Sequence, residues 1–226
     1  MVKLYLLSGL GADERVFTYL RLNGIEQKHI RWIPPQKNEP ISRYASRLLD
    51  QIEEKGPINL LGVSFGGIIA QEVAQYIDCQ KLFIISSIKH PSEMPFSLRF
   101  LRKTRFDKFI RPGMLDWVKG LGWSYFFGIQ TKEEQQLLRA IAKDTDTKFL
   151  AWAIEQVMQW KGVEKSPEVI HIHGTADRVF PIRYIKNCTS IPNGGHFMIV
   201  NKAREVSHMI EKVFDISINQ EAPRDS

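Results

Sequence analysis

Gly62-Val63-Ser64-Phe65-Gly66 constrains this chain more than any other stretch, because it sets a serine where only a tight strand-to-helix turn can carry it. The run Ile58-Asn59-Leu60-Leu61 before it is short and apolar, the mark of a strand buried on both faces. After it, apolar residues at 69, 73, 74 and 77 follow a helical spacing. A serine at such a turn is held with backbone strain, and the glycines two before and two after it let the flanking elements pack closely. Its hydroxyl then points off the end of the sheet, beside a helix N-terminus that favours negative charge. In this setting the pattern predicts Ser64 to be a nucleophile.

A serine at its free pKa is a poor nucleophile and needs a base, which in turn needs an orienting group. Val169-Ile170-His171-Ile172-His173 reads as a second buried strand, and the loop after it places Asp177 just past a strand's C-terminal end. Thr189-Ser190-Ile191-Pro192 reads as a last short strand. It leads through Asn193-Gly194-Gly195 to His196, ahead of a helical pattern at 203, 206, 207, 210, 213 and 214. Each residue also has a plainer reading: Ser64 as a turn residue, Asp177 as a cap on the next turn, His196 as a loop histidine. The chain order Ser64, Asp177, His196 differs from the orders in chymotrypsin and subtilisin.

Three stretches in this order resemble the α/β-hydrolase fold over roughly residues 2 to 214: Gly62 to Gly67, His173 to Pro181 and Gly194 to Phe197. The resemblance is to small bacterial serine hydrolases and esterases. It implies a nucleophile, acid and base at Ser64, Asp177 and His196, and it implies a reaction class rather than a substrate. It also implies an oxyanion hole. The first strand, Val2 to Leu7, ends in Ser8-Gly9-Leu10-Gly11, where related enzymes usually read His-Gly. Carried over, the donors are the backbone N–H groups of Leu10 and Phe65. Ser8 in place of the usual histidine leaves the anchoring of that loop open. A dinucleotide loop at Gly9-Leu10-Gly11 lacks its third glycine, since position 14 is Glu.

Strands are expected at 2–7, 29–33, 58–63, 81–86, 167–173 and 187–191, six in all, linked by helical crossovers and so parallel. No amino-terminal antiparallel hairpin has room before residue 2. The predicted architecture is a six-stranded parallel sheet flanked by helices. One domain spans 1–218, with a helical lid at about 90–163, and a polar tail follows at 219–226. About eighty residues separate the fourth and fifth strands, too many for a structureless loop. Helical patterns fill them at about 95–109, 113–127, 131–143 and 146–161. Four of the five tryptophans and seven of the thirteen phenylalanines fall there, which points to an apolar acyl or aromatic pocket. Trp123, Phe127, Trp152 and Phe197 are the candidate lining residues, with gluing of lid to body as the alternative for each ring.

At 226 residues and 43% hydrophobic, the chain suits one well-buried domain. It has no 18-residue apolar run to span a membrane, and too few apolar residues at its start for a secretory leader. Cys79 and Cys188 lack any spacing signature, so reduced thiols and a cytoplasmic setting are expected. His171 and His173, two apart on one strand face, read as packed or hydrogen-bonded rather than as a metal pair, and no metal or organic cofactor is expected. Asp13 and Arg15 form either a loop-ordering ion pair or a solvated one. The net charge is +6, with Arg99, Arg102, Lys103, Arg105, Lys108 and Arg111 set against Asp107 alone. That run reads as a solvated helix face or as a patch steering an anionic acyl-CoA. No recognition module accompanies it, so nucleic acid is not an expected partner. The expected partner is a small acyl substrate, and the oligomeric state stays open. The leading function is carboxylester hydrolysis. An acyl-CoA thioesterase, a lyase or carbon–carbon hydrolase using the same residues, and a ligand sensor on the same fold are the alternatives. Dehalogenase or epoxide-hydrolase chemistry would need an aspartate at position 64.

Overall fold

The computed structural model describes residues 1–104, 123–165 and 168–215, with backbone alone at 103, 104 and 123. Six strands form one sheet: β1 (Val2–Leu7), β2 (Ile25–Ile30), β3 (Ile58–Val63), β4 (Cys79–Ile85), β5 (Val169–Gly174) and β6 (Thr189–Ile191). They lie in the order β2-β1-β3-β4-β5-β6, and every neighbouring pair is parallel. β3 is buried along its whole length, as its unbroken apolar character requires of a central parallel strand.

Helices cover both faces. α1 (Ile41–Leu48) and α2 (Phe65–Val73) pack with Tyr5, Leu7, Leu60 and Ile84 on one side of the sheet. On the other, α7 (Met198–Asn201) and α8 (Ala203–Val213) pack with Leu4, Leu6, Leu61, Phe83 and Ile172. Between β4 and β5 lie α3 (Phe96–Thr104), α4 (Trp123–Phe127), α5 (Lys132–Asp144) and α6 (Thr147–Gln159). The expected helices at 131–143 and 146–161 thus lie within two residues of α5 and α6, while much of 95–109 and 113–127 lies outside the described residues. No helix of the described residues is long and apolar enough to cross a membrane.

The structure corrects one strand. The reading at 29–33 followed the apolar Ile30, Trp32 and Ile33, but β2 runs from Ile25 to Ile30 and pairs with β1 from Val2↔Ile25 to Leu7↔Ile30. β2 is a sheet edge, and Glu26, Gln27, Lys28 and His29 make it polar, so an apolar run is the wrong signal for it. The crossovers also differ from those expected. Single 3-10 turns, Glu14–Phe17 and Ile182–Tyr184, serve β1 to β2 and β5 to β6. The chain reverses its direction of travel across the sheet at β1, which neighbours both β2 and β3. Open α/β sheets bind ligands at such a switch point, beyond the carboxyl ends of the strands.

Candidate active site

At the end of β3 the chain turns through Ser64 with φ 54° and ψ −119°, a conformation non-glycine residues rarely adopt. The turn is pinned on all sides. Ser64 N–H donates to Ile85 O at 2.9 Å, and Ser64 O accepts from Gly67 N–H at 2.9 Å and from the Ser87 hydroxyl at 2.7 Å. A Cβ on Gly62 would strike the Gly66 carbonyl, and one on Gly66 would strike the carbonyls of Leu7 and Ser8. Both positions are therefore closed to any side chain unless backbone moves. Ser87, at the end of the neighbouring strand, was not foreseen as part of this turn.

The turn delivers Ser64 Oγ to 2.9 Å from His196 Nε2, and His196 Nδ1 lies 2.8 Å from Asp177 Oδ2. Asp177 is 4% exposed. Burial alone would push its pKa up, but the contact with His196, together with His173 and the Phe180 N–H, outweighs that and holds it below the ordinary carboxylate value. An ionised carboxylate only accepts, so Nδ1 carries the imidazole proton and Nε2 presents a lone pair to the serine hydroxyl. Asp177 Oδ1 also accepts from Val179 N–H and Phe180 N–H, each at 2.8 Å. The capping role and the histidine contact thus coexist, one oxygen for each. The imidazole lies against the ring edges of Phe127 and Phe180, with centroids 5.3 and 5.7 Å away.

The loop after β1 approaches from the other side. Gly9 lies against Ser64: a Cβ built there would sit 3.5 Å from Ser64 Cβ. Phe65 opens α2, in the first turn, where N–H groups have no intrahelical acceptor. Leu10 and Phe65 both line the cavity above Ser64. The anchoring left open by Ser8 is rebuilt at one carbonyl. Ala12 O accepts from the Ser8 hydroxyl at 2.7 Å and from Trp32 Nε1–H at 3.0 Å. Arg15 clasps Asp13 and reaches Asp144 of α5 at 2.8 Å, while Thr145 Oγ1 donates to Gly11 O at 2.6 Å. Asp13 and Arg15 therefore belong to a loop-ordering network, though both are about one-third exposed.

Ser64 and His196 open into a cavity of about 440 Å³. The described residues of its wall are almost wholly apolar. Among the candidates, Phe127 and Phe197 line it, but Trp152 is absent from the lining. Trp152 instead packs against Tyr44, Phe65 and Phe149 and donates Nε1–H to Glu39 O at 2.9 Å, so it glues α6 to the body. Trp160 does the same through Glu72 at 2.7 Å. The Trp123 side chain lies outside the described residues, as does the basic run from Lys103 onward. Most of the lining is aliphatic and was missed: Leu138 and Ile141 on α5, Leu150, Ile154, Val157 and Met158 on α6. Their i, i+3 and i+4 spacing was the available signal. A second cavity of about 520 Å³ lies behind the Ser8–Ala12 loop, and neither Ser64 nor His196 lines it.

His171 and His173 are hydrogen-bonded to each other, Nε2 to Nδ1 at 3.2 Å. Burial, then the Lys89 charge and His173, lower His171 to about 3, and burial leads in lowering His173. Both native rings stay neutral while the unfolded chain takes up protons below about pH 6.5. Stability is therefore present above pH 6.5 and is lost as pH falls toward the folded values. The loss should approach about 1.4 kcal/mol per pH unit for His171, with His173 acting in the same direction. Urea unfolding at pH 7 and pH 5 checks this, and equal stabilities would contradict it.

A family model described as the alpha/beta hydrolase family matches residues 6–208. No curated protein matches the chain. Among solved structures, MenH from S. aureus superposes with a TM-score of 0.71 at 18% identity, covering 95% of this chain and 93% of that one. An esterase from Exiguobacterium antarcticum gives 0.69 at 17%, covering 95% and 92%. A thermophilic esterase from Thermogutta terrifontis gives 0.66 at 16%, covering 95% and 90%. At these identities the likeness speaks to the fold.

Proposed function

The chain belongs to the alpha/beta hydrolase family, and from that membership we propose that it is a serine hydrolase cleaving esters of small to medium apolar acyl groups. The observation that carries this reading is the Ser64–His196–Asp177 chain of 2.9 and 2.8 Å contacts opening into an apolar cavity. Ser64 Oγ attacks the ester carbonyl carbon as His196 Nε2 takes its proton. The negative charge that develops on the carbonyl oxygen is met by the N–H groups of Leu10 and Phe65. Collapse breaks the bond to the alcohol oxygen, which takes the proton from His196 and leaves the acyl group on Ser64. Water then attacks through the same base, releasing the acid and restoring the serine. Asp177 stays ionised throughout, fixing the imidazole tautomer. The helices between β4 and β5 act as a lid, supplying the cavity wall from α5 and α6.

A fluorophosphonate probe tests for the activated serine, with covalent labelling expected at Ser64. Multiple turnovers of a p-nitrophenyl ester support an enzyme; stoichiometric labelling with negligible turnover would favour a sensor on the same fold. The wall predicts the acyl preference. Each methylene moved from water into it contributes about 0.8 kcal/mol, or about fourfold in kcat/KM. A p-nitrophenyl series from acetate upward should climb at about that slope until the cavity is full. Among the described residues no Asp, Glu, Lys or Arg lines the cavity, so an acyl chain ending in a carboxylate should be a poor substrate. A flat series would remove the apolar acyl site from the proposal.

A further inference from the structure

Asp177 lies beside the end of a hydrogen-bonded chain that the hydrolytic steps do not use. Lys89 Nζ lies 3.1 Å from His171 Nδ1. His171 Nε2 lies 3.2 Å from His173 Nδ1, and His173 Nε2 lies 2.8 Å from Phe180 O. The same His173 Nε2 is 3.6 Å from Asp177 Oδ2. His171 and His173 are 2% and 0% exposed.

Two groups that cannot reverse their roles fix the direction of every proton in this chain, the Lys89 ammonium at one end and the Phe180 carbonyl at the other. An ammonium has three N–H bonds and no lone pair, so it can only donate. Lys89 donates to the carbonyls of Lys186 and Asn187 as well as to the imidazole. Its buried neighbour Glu93 is 3.7 Å away and is itself held by the N–H groups of Lys89 and Lys186. His171 Nδ1 must therefore accept, which leaves the proton of the neutral ring on Nε2. His173 Nδ1 must accept in turn, so its proton is also on Nε2, facing the Phe180 carbonyl and the carboxylate. The opposite tautomer would set a lone pair against both oxygens in a site water does not reach, which is unfavourable. Phe180 is thereby clamped at both ends of its residue. Its carbonyl takes the His173 proton, its N–H holds Asp177 Oδ1 at 2.8 Å, and its ring lies against His196.

We infer that Lys89, acting through His171 and His173, is a positioning residue for the acid, closing the far end of a chain whose ring protons present a N–H rather than a lone pair to Phe180 and Asp177. The catalytic part of this inference rests on the hydrolase reading above; the proton placement does not. Lys89 is absent from the apolar cavity, so its loss should act on kcat and leave KM nearly alone.

The test is long-range ¹H–¹⁵N correlation on histidine-labelled protein, with ester kinetics alongside. In the parent, His171 and His173 are expected as Nε2–H tautomers; Nδ1–H at either would overturn the inference without any variant. In Lys89→Met His171 should lose its single tautomer, while Phe180 O still holds His173 as Nε2–H, and kcat should fall about tenfold at nearly constant KM, the cost of one loosened hydrogen bond to a charged group. Lys89→Arg, which also only donates, should restore both. A folded Lys89→Met with the His171 tautomer and kcat intact would overturn the inference, as would a change in either one without the other. If the parent turns over no ester and resists the fluorophosphonate, the hydrolase reading fails. The amide resonances of Val179 and Phe180 then report on the acid loop instead. Their displacement in Lys89→Met supports the positioning role, and unchanged resonances overturn it.

Discussion

Ser64→Ala is expected to lower kcat by about 10⁶ while leaving the fold in place, by analogy with the subtilisin nucleophile. The hydroxyl contacts His196 at 2.9 Å, whereas the turn itself is held by the Ser64 backbone N–H and carbonyl, which alanine keeps. Alanine also meets the same positive φ that serine already tolerates. Initial rates on a p-nitrophenyl ester, with circular dichroism to confirm folding, make the comparison. A residual rate above one-tenth of the parent would assign the nucleophile elsewhere.

Asp177→Asn is expected to cost about 10⁴ in kcat, the scale of the same change in a serine protease. The direction follows from the acid's own contacts. The N–H groups of Val179 and Phe180 both aim at Oδ1, so an asparagine must place its oxygen there and turn its NH₂ toward His196 Nδ1. That nitrogen then accepts, the imidazole proton moves to Nε2, and no lone pair remains to take the serine proton. Glu93 is the control, since its oxygens are taken by the N–H groups of Lys89 and Lys186. A nearly silent Asp177→Asn combined with an inactive Glu93→Gln would move the acid to the loop after β4.

That Ser64, Asp177 and His196 come together was legible because each follows a strand's C-terminal end, where a few residues of local pattern fix both the turn and the side chain it carries. The same locality explains five of the six strands. β2 was misplaced because its burial is confined to Ile25 and Ile30, so the apolar signal comes from Trp32 and Ile33, which follow it and pack over the core. The cavity wall was only half legible. Tryptophan content marked the segment between β4 and β5, but Trp152 and Trp160 spend their rings and N–H groups on the body of the molecule. Which helix face meets the cavity depends on how α5 and α6 dock, and that is a property of long-range packing rather than of either helix alone. The Lys89–His171–His173 chain was out of reach for the same reason, since it joins residues 82 positions apart.

The loops that carry Asp177 and His196 are stitched to each other as well as to the sheet. Thr175 N–H reaches Ile191 O at 3.0 Å, Ala176 N–H reaches Gly194 O at 2.9 Å, and Asn193 N–H reaches Thr175 Oγ1 at 2.9 Å. They form one piece, and that piece is made after the serine turn during synthesis, with His196 132 positions beyond Ser64. A ribosome-bound chain that has completed β3 and α2 already carries its serine turn, yet has nothing to draw the proton from it. Such a chain is chemically inert toward acyl donors, because a serine without its base is a poor nucleophile. Reactivity toward a fluorophosphonate should therefore switch on in a single step, when β5 and β6 dock, and so mark the completion of the sheet.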